Sequence, residues 1–479
     1  MMKQLLVLIA LNFSLSGFSQ STSKPNVIII YFDDMGYGDI EPFGMTGVHT
    51  PNFNRLAAEG LRLTNYNTVQ AVCSASRAAL LTGTYPNRVG IAGALLPGAK
   101  VALNPEEQTI ASLLKDNGYK TAMLGKWHLG NKPPYFPMNF GFDNFYGLPY
   151  SHDIWPIDYA GKLITVPANY RGTWPPLPII EGNKEIATIN TLEEQEQWTP
   201  ALTEKAVAYI KANKKSPFFL YLAHPMPHVP LAVSKKFKGK SQLGLFGDVM
   251  MELDWSLGQV LETLDKENLT KNTLLIVMSD NGPWLNFGNH AGSAGGFKEG
   301  KGTAFEGGTR VPFIIRWPEK IKAGYVTGEL MTNMDVLPTI CAMTGSALPN
   351  KKIDGLNFMP LLLSKTTDSP RESFYYYYNQ NSLKAVRYKH WKLVLPHTSQ
   401  SYQNENPGKD GFPGKIGQIE VKQALYNLAH DPGEKVDLHS LYPEVVAEIM
   451  KLVEAAREDL GDDLTKREGN NRRKAAVVE

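Results

Sequence analysis

Five stretches of the chain are apolar at nearly every position: NVIIIYF (26–32), TAMLGK (121–126), PFFLYLA (217–223), NTLLIVMS (272–279) and VPFIIRW (311–317). Unbroken apolar runs of this length fit strands covered on both faces, because a half-exposed strand alternates. Helical periodicity fills the gaps, in NFNRLAAEG, SRAALLTG, TIASLLKDNG, LTEKAVAYIKAN and GDVMMELDWSLGQVLETLDKEN. Buried strands alternating with amphipathic helices predict an α/β fold: a large, mostly parallel sheet sandwiched by helices. Near residue 365 the pattern changes. SFYYYYNQ, LKAVRYKHWKLVL and ALYNLAHD alternate as antiparallel strands do, and PEVVAEIMKLVEAARED reads as a closing helix. The expected organisation is a main domain at 21–365 and a smaller α+β subdomain on an antiparallel sheet at 366–479. The tail TKREGNNRRKAAVVE is polar and expected to fray.

Composition changes this picture little. At 479 residues the chain is too long for one ordinary core, which agrees with two units. A formal charge of +2 argues against nucleic acid or an anionic membrane as partner, while leaving room for a local basic pocket. The N-terminus, MMKQLLVLIALNFSLSGFSQS, has a lysine, an apolar run from Leu5 to Phe13, then small and polar residues. It reads as a cleaved signal peptide over residues 1–20, so the protein is expected to be secreted or periplasmic. No cysteine follows that run, and no later segment reaches the ~18 apolar residues of a membrane span, so no membrane anchor is expected. An exported chain meets oxidising conditions, yet this one has two cysteines. Cys341, in MDVLPTICAMTG, falls on an apolar helical pattern and reads as a small core residue. Cys73, in VQAVCSASRAALLTG, needs another explanation.

The chemistry-bearing residues gather where strands end, which in open parallel sheets is where sites form. The 26–32 run leads into Asp33 and Asp34, and the 272–279 run into Asp280 and Asn281. Either pair alone would read as a turn. Together they offer four hard oxygen side chains at one sheet edge, a set suited to calcium or magnesium. GKWHLG, after another strand, carries Lys126 and His128, expected to alternate on an extended segment and point the same way. PMPHVPL holds His228 between prolines, with His224 close by, and KEGKGTAFEGGTRVP offers Lys298 and Lys301. A cation site with lysines, an arginine and histidines suits a tetrahedral oxyanion such as sulfate or phosphate.

These residues resemble the type I sulfatases. CSASR matches that family's C-x-A-x-R maturation signature, and DDMGYGD, GKWHLG, PHVPL, SDNG, FEGGTRVP and LYNLAHDPGE follow in the family's order over nearly the whole chain. The resemblance implies an alkaline phosphatase-like fold and conversion of Cys73 to formylglycine by a maturation enzyme. It implies one Ca2+ held by Asp33, Asp34, Asp280, Asn281 and residue 73. It implies that Arg77 holds the hydrated aldehyde, that Lys126 and Lys301 clamp sulfate, that His128 sits against a diol hydroxyl, and that His228 protonates the leaving alcohol. One diol hydroxyl attacks sulfur and expels the alcohol; deprotonation of the other then expels sulfate and restores the aldehyde. GLPYSHD (147–153) resembles a stretch of arylsulfatase A and the galactosamine-6-sulfatase group, with His152 and Asp153 as candidate substrate residues. A sulfated carbohydrate is the implied substrate. A phosphate or phosphonate ester hydrolase of the same superfamily is the alternative enzyme; it commonly calls for a second metal, and the sequence shows one cation cluster. A carbohydrate-binding protein that has lost catalysis is the alternative outside enzymes; every matched catalytic position is present.

Overall fold

The apolar run at 26–32 becomes the strand Asn26–Phe32, buried at every position. It lies mid-sheet, parallel to Thr273–Ser279 on one side and to Phe218–Ala223 on the other. The computed structural model describes residues 24–165 and 173–478. The expected signal peptide therefore lies outside the described residues.

Among the described residues the main sheet has ten strands. Its parallel centre runs Thr273–Ser279, Asn26–Phe32, Phe218–Ala223, Lys120–Lys126, Asn144–Leu148. Antiparallel strands flank it: Phe313–Arg316 on one side, Leu177–Glu181 and Lys184–Ile189 on the other. Leu61–Leu63 and Tyr325–Thr327 complete the first edge. Alternate residues of one strand feed two separate cores. Val27, Ile29 and Tyr31 pack with Ala78, Leu80 and Leu81, Leu113 and Leu114, and Leu337, Ile340 and Cys341. Ile28, Ile30 and Phe32 pack with Phe53 and Leu56, Leu202 and Ala206, and Leu253 and Leu257. The helices Cys73–Thr82, Ile110–Asp116 and Val336–Thr344 thus cover one face. Pro51–Glu59, Trp198–Asn213 and Gly244–Lys266 cover the other.

The C-terminal part builds a four-stranded antiparallel sheet, Ser373–Tyr378, Ser382–Tyr388, Trp391–Val394, Ala424–Asn427, backed by the helix Pro443–Leu460. Its core includes Val69, Ala79 and Tyr85 of the main unit, so the two parts share apolar surface. Tyr376 and Tyr377 are both buried although adjacent, because a register shift between them interrupts the alternation. A separate hairpin, His397–Ser401 with Gly417–Val421, extends toward the carboxyl edge of the main sheet.

The tail corrects one expectation. It is docked: Ala476–Val477 pairs antiparallel with Val101–Ala102, and Val478 is buried. Arg473 makes a two-pronged bond to Glu107, both arms at 2.8 Å.

Candidate active site

The parallel register sets Phe32 opposite Ser279, so the acids that follow each strand emerge side by side. Asp34 adopts a left-handed conformation (φ 63°), and its N–H donates to Asp280 Oδ1 at 3.1 Å. Asn281 Nδ2 donates to Asp34 Oδ1 at 2.7 Å.

Cys73 is the first residue of the helix Cys73–Thr82, and all ten residues of that helix are buried. The small residues after it let the helix lie close on the sheet, where Ser76 Oγ meets the Tyr31 hydroxyl at 2.9 Å. Cys73 Sγ lies 3.3 Å from Asp33 Oδ1. The helix start adds partial positive charge beside it. Burial, with Asp33 next, pushes the Cys73 thiol well above its ordinary range. As a plain thiol, Cys73 is therefore a poor nucleophile. One turn on, Arg77 donates to Asp280 Oδ2 at 2.7 Å and to the Lys126 carbonyl at 2.9 Å.

Lys126 ends its strand and donates to Asp33 Oδ2 and, at 3.0 Å, to Ser151 Oγ. The preceding Gly125 has φ 105°, and a Cβ there would lie 1.9 Å from the Ala223 carbonyl oxygen. His128 departs from the extended segment expected of GKWHLG: the strand stops at Lys126, and His128 has φ 64°. Its Nε2 meets the Leu95 carbonyl at 3.0 Å, and its Nδ1 is buried without a partner. Burial, then Lys126 and Arg77, holds the His128 imidazole well below its usual range, so the ring is neutral. A neutral ring whose Nε2–H donates to Leu95 presents Nδ1 as an acceptor.

Lys301 reaches Asp34 at 2.8 Å, with its ammonium 4.4 Å from the centre of the Trp284 ring. His228 Nδ1 donates to the Val229 carbonyl, leaving Nε2 3.6 Å from Asp34 Oδ2. Three cations, Arg77, Lys126 and Lys301, thus face three carboxylates, Asp33, Asp34 and Asp280. Burial alone would raise Asp33, but Lys126, His228 and Arg77 outweigh it and hold the carboxyl well below the usual range. Asp280, buried and beside Asp33, is pushed the other way, to about 7.

The two substrate candidates part company. Asp153 is partly exposed near His228, which with a Ser151 hydrogen bond outweighs burial and keeps the carboxyl ionised. His152 is fully buried behind the His228 loop, with Nε2 donating to the carbonyls of His228 (3.0 Å) and Pro230 (3.2 Å). His224 stacks on Phe32 and meets Ser256 Oγ at 3.1 Å, outside the site. Lys298 lies over the Phe305 ring, also outside.

Two residues of the site had no role assigned from sequence: Ser151, inside GLPYSHD, and Trp284, three residues after Asn281. Gln400 and Tyr402, which both donate to the Lys301 carbonyl, had none either. No local signal marks these two, about a hundred residues away in sequence.

The carboxylates can serve a metal ion. Ligating atoms of Asp33, Asp34, Cys73 and His228 lie within 4.8 Å of one another. Asn281 Oδ1, one of the oxygens expected to bind, is buried and has no partner.

An α/β sheet with a buried cysteine, carboxylates and cations at its carboxyl edge is an arrangement suited to ester hydrolysis. The sulfatase family model matches residues 25–346, and a model of the C-terminal region of aryl-sulfatase matches residues 369–477. Arylsulfatase A of Bos taurus is 35% identical over 463 residues, covering 92% of this chain and 89% of that protein. The N-acetylgalactosamine-6-O-sulfatase of Bacteroides thetaiotaomicron is 32% identical over 493 residues, covering 91% and 94%. The crystal structure of a sulfatase from Pseudoalteromonas sp. superposes with a TM-score of 0.79 at 30% identity, covering 91% of this chain and 90% of that one. The chain belongs to the sulfatase family and is a sulfuric ester hydrolase with an alkaline phosphatase-like fold.

Proposed function

We propose that this enzyme is exported and removes O-sulfate from a sugar of a sulfated glycan, using formylglycine made from Cys73 and one calcium ion. The observation that carries this reading is the buried contact of Cys73 with Asp33, ringed by Arg77, Lys126 and Lys301. A relative named for N-acetylgalactosamine 6-O-sulfate supports the sugar-sulfate class.

Asp33, Asp34, Asp280, Asn281 and residue 73 would hold the ion, which when bound supplies positive charge that acidifies a hydroxyl on residue 73. The residues themselves do the rest. Lys126 and Lys301 are paired to acids here; with those acids neutralised, both ammonium groups can turn to the sulfate oxygens. Arg77, fixed by Asp280 and the Lys126 carbonyl, orients residue 73. His128 Nδ1, the free acceptor, takes the proton of the second diol hydroxyl. His228 Nε2 delivers a proton to the bridging oxygen, so that an alcohol rather than an alkoxide leaves. Asp153 lines the sugar side, and His152 supports the His228 loop from behind.

The test has two parts. Mass spectrometry of the peptide containing residue 73 should show the aldehyde or its hydrate in active protein. Cys73→Ala should abolish release of sulfate from 4-nitrophenyl sulfate while preserving the circular-dichroism spectrum. A variant with ordinary turnover overturns the assignment.

A further inference from the structure

Beside Lys301 the C-terminal subdomain encloses a cavity of about 390 Å3. That is the size of a small-ligand site. Its walls include Gly302, Tyr378, Lys384, His397, Gln400 and Gln418. Gly302, the residue after Lys301, has φ 82°, and a Cβ there would lie 2.1 Å from Gln400 Nε2 and 2.8 Å from the Tyr378 hydroxyl. One wall is therefore the main chain that carries a sulfate-clamping lysine. Tyr378 lies within electrostatic reach of both Lys301 and Cys73.

The charge of this cavity is unbalanced. Lys384 is 4% exposed, and its ammonium has one hydrogen bond, a long one of 3.4 Å to the Thr398 carbonyl. The other buried lysines, Lys126, Lys301 and Lys392, each meet a carboxylate. Lys384 meets none within ion-pair distance among the described residues. The acid it does feel, Asp462, is already bonded by Leu383 N–H, Leu464 N–H and Arg457. Burial without a counter-charge pushes the Lys384 ammonium below its ordinary range. His397 gives no negative charge; burial lowers it to about 4, and its Nδ1 is spent on the Leu395 carbonyl at 2.7 Å. A buried ammonium with two unused donors is costly unless something anionic meets it. The surrounding amide and hydroxyl groups suit sugar hydroxyls.

We propose that this cavity is a subsite for the sugar adjoining the one that bears the scissile sulfate, and that Lys384 selects an anionic group on it, a uronate carboxylate or a second sulfate. The inference rests on the reading of the catalytic centre given above. It makes the preferred substrate a polyanionic glycan rather than an isolated sulfated monosaccharide.

The test is inhibition of 4-nitrophenyl sulfate turnover by three disaccharides that share one sulfated N-acetylhexosamine. The second sugar is glucuronic acid, a sulfated hexose or neutral hexose. Compounds that are bound but not cleaved still count. Wild type should bind one or both anionic compounds about tenfold or more tighter than the neutral one. The first two arms tell a carboxylate from a sulfate. Lys384→Met should reduce that preference to below about twofold, and Lys384→Arg should retain most of it. Gln418→Glu, at an exposed wall position, sets an acid in the cavity and should weaken the anionic compounds selectively without needing a core residue changed. Equal inhibition by all three compounds in wild type overturns the proposal. So does Lys384→Met losing 4-nitrophenyl sulfate turnover in proportion to the preference, since that would mark a structural lysine. No turnover of any sulfate ester by protein with verified formylglycine overturns the catalytic reading itself.

Discussion

His228 and His128 approach the same centre under different constraints, and that difference is measurable. The alkoxide of a sugar is a poor leaving group, so a delivered proton matters greatly there; a nitrophenolate leaves readily without one. A positioned acid is typically worth ~100–10,000-fold. His228→Ala should therefore cut the sugar-sulfate rate within that range and the nitrophenyl-sulfate rate far less. His128→Ala should depress both, because the proposed diol would serve every substrate. Equal losses on both substrates for His228→Ala would argue against the leaving-group role. At this scale much of the site was legible. Cys73, Arg77, Lys126, Lys301 and the strand-end acids lie in short ordered motifs, and the structure gathers all of them. Trp284, Gln400 and Tyr402 were not legible, because nothing in their local sequence differs from an ordinary loop or strand; Ser151 stood in a quoted motif, but its bond to Lys126 did not show there. Their contact with the lysines exists only after distant segments meet.

Among the elements, the two strands Asn26–Phe32 and Thr273–Ser279 do the most for the site, since their shared register aligns two acid pairs. An ion joining those ends should couple activity to metal content. Exhaustive chelation should remove turnover, and added Ca2+ should restore it; restoration by Zn2+ alone would refute the all-oxygen assignment. The helix Gly244–Lys266 carries a separate pH signature. Glu252 is fully buried in it, accepts one bond from Ser234 N–H at 3.1 Å, and has its second oxygen unpartnered. Burial pushes its carboxyl up to about 7. A carboxyl raised in the folded state costs stability as pH climbs from the unfolded value, ~4.3, through the folded one. Glu252→Gln should therefore melt a few degrees above wild type at pH 8, with the gap closing toward pH 5. A constant gap across that range would contradict this account. The helices and four of the five parallel central strands were legible from pattern; Asn144–Leu148 was not. Phe313–Arg316 was legible as a strand but not as an antiparallel one, because an apolar run reports burial and carries no strand direction.

For the whole molecule, the question is what ties the C-terminal subdomain to the main unit. Arg88 is buried and grips both Asp354 and Asp459, the latter on the closing helix, while Arg473 of the tail grips Glu107. Removing one member of a buried pair leaves unpaired charge, at a cost on the order of 3 kcal/mol. Arg88→Met should lower the unfolding free energy by that order, read by urea titration; a loss under about 1 kcal/mol would show the apolar contacts alone suffice. The subdomain also holds the Lys301 loop. Lys392 is buried between Glu306 and Glu434 at 3.1 and 2.8 Å, and Gln400 with Tyr402 holds the Lys301 carbonyl.

The sequence by itself determined the layered α/β plan, the strand-end acids and the CSASR motif at Cys73, because burial and chemistry there are written in contiguous residues. Only the tertiary structure decided that the tail docks, that His152 lies behind the His228 loop, and that Lys384 has no ion-pair partner among the described residues. Each depends on which distant segments meet. Ion pairing and desolvation are properties of that meeting and leave no periodicity in the chain.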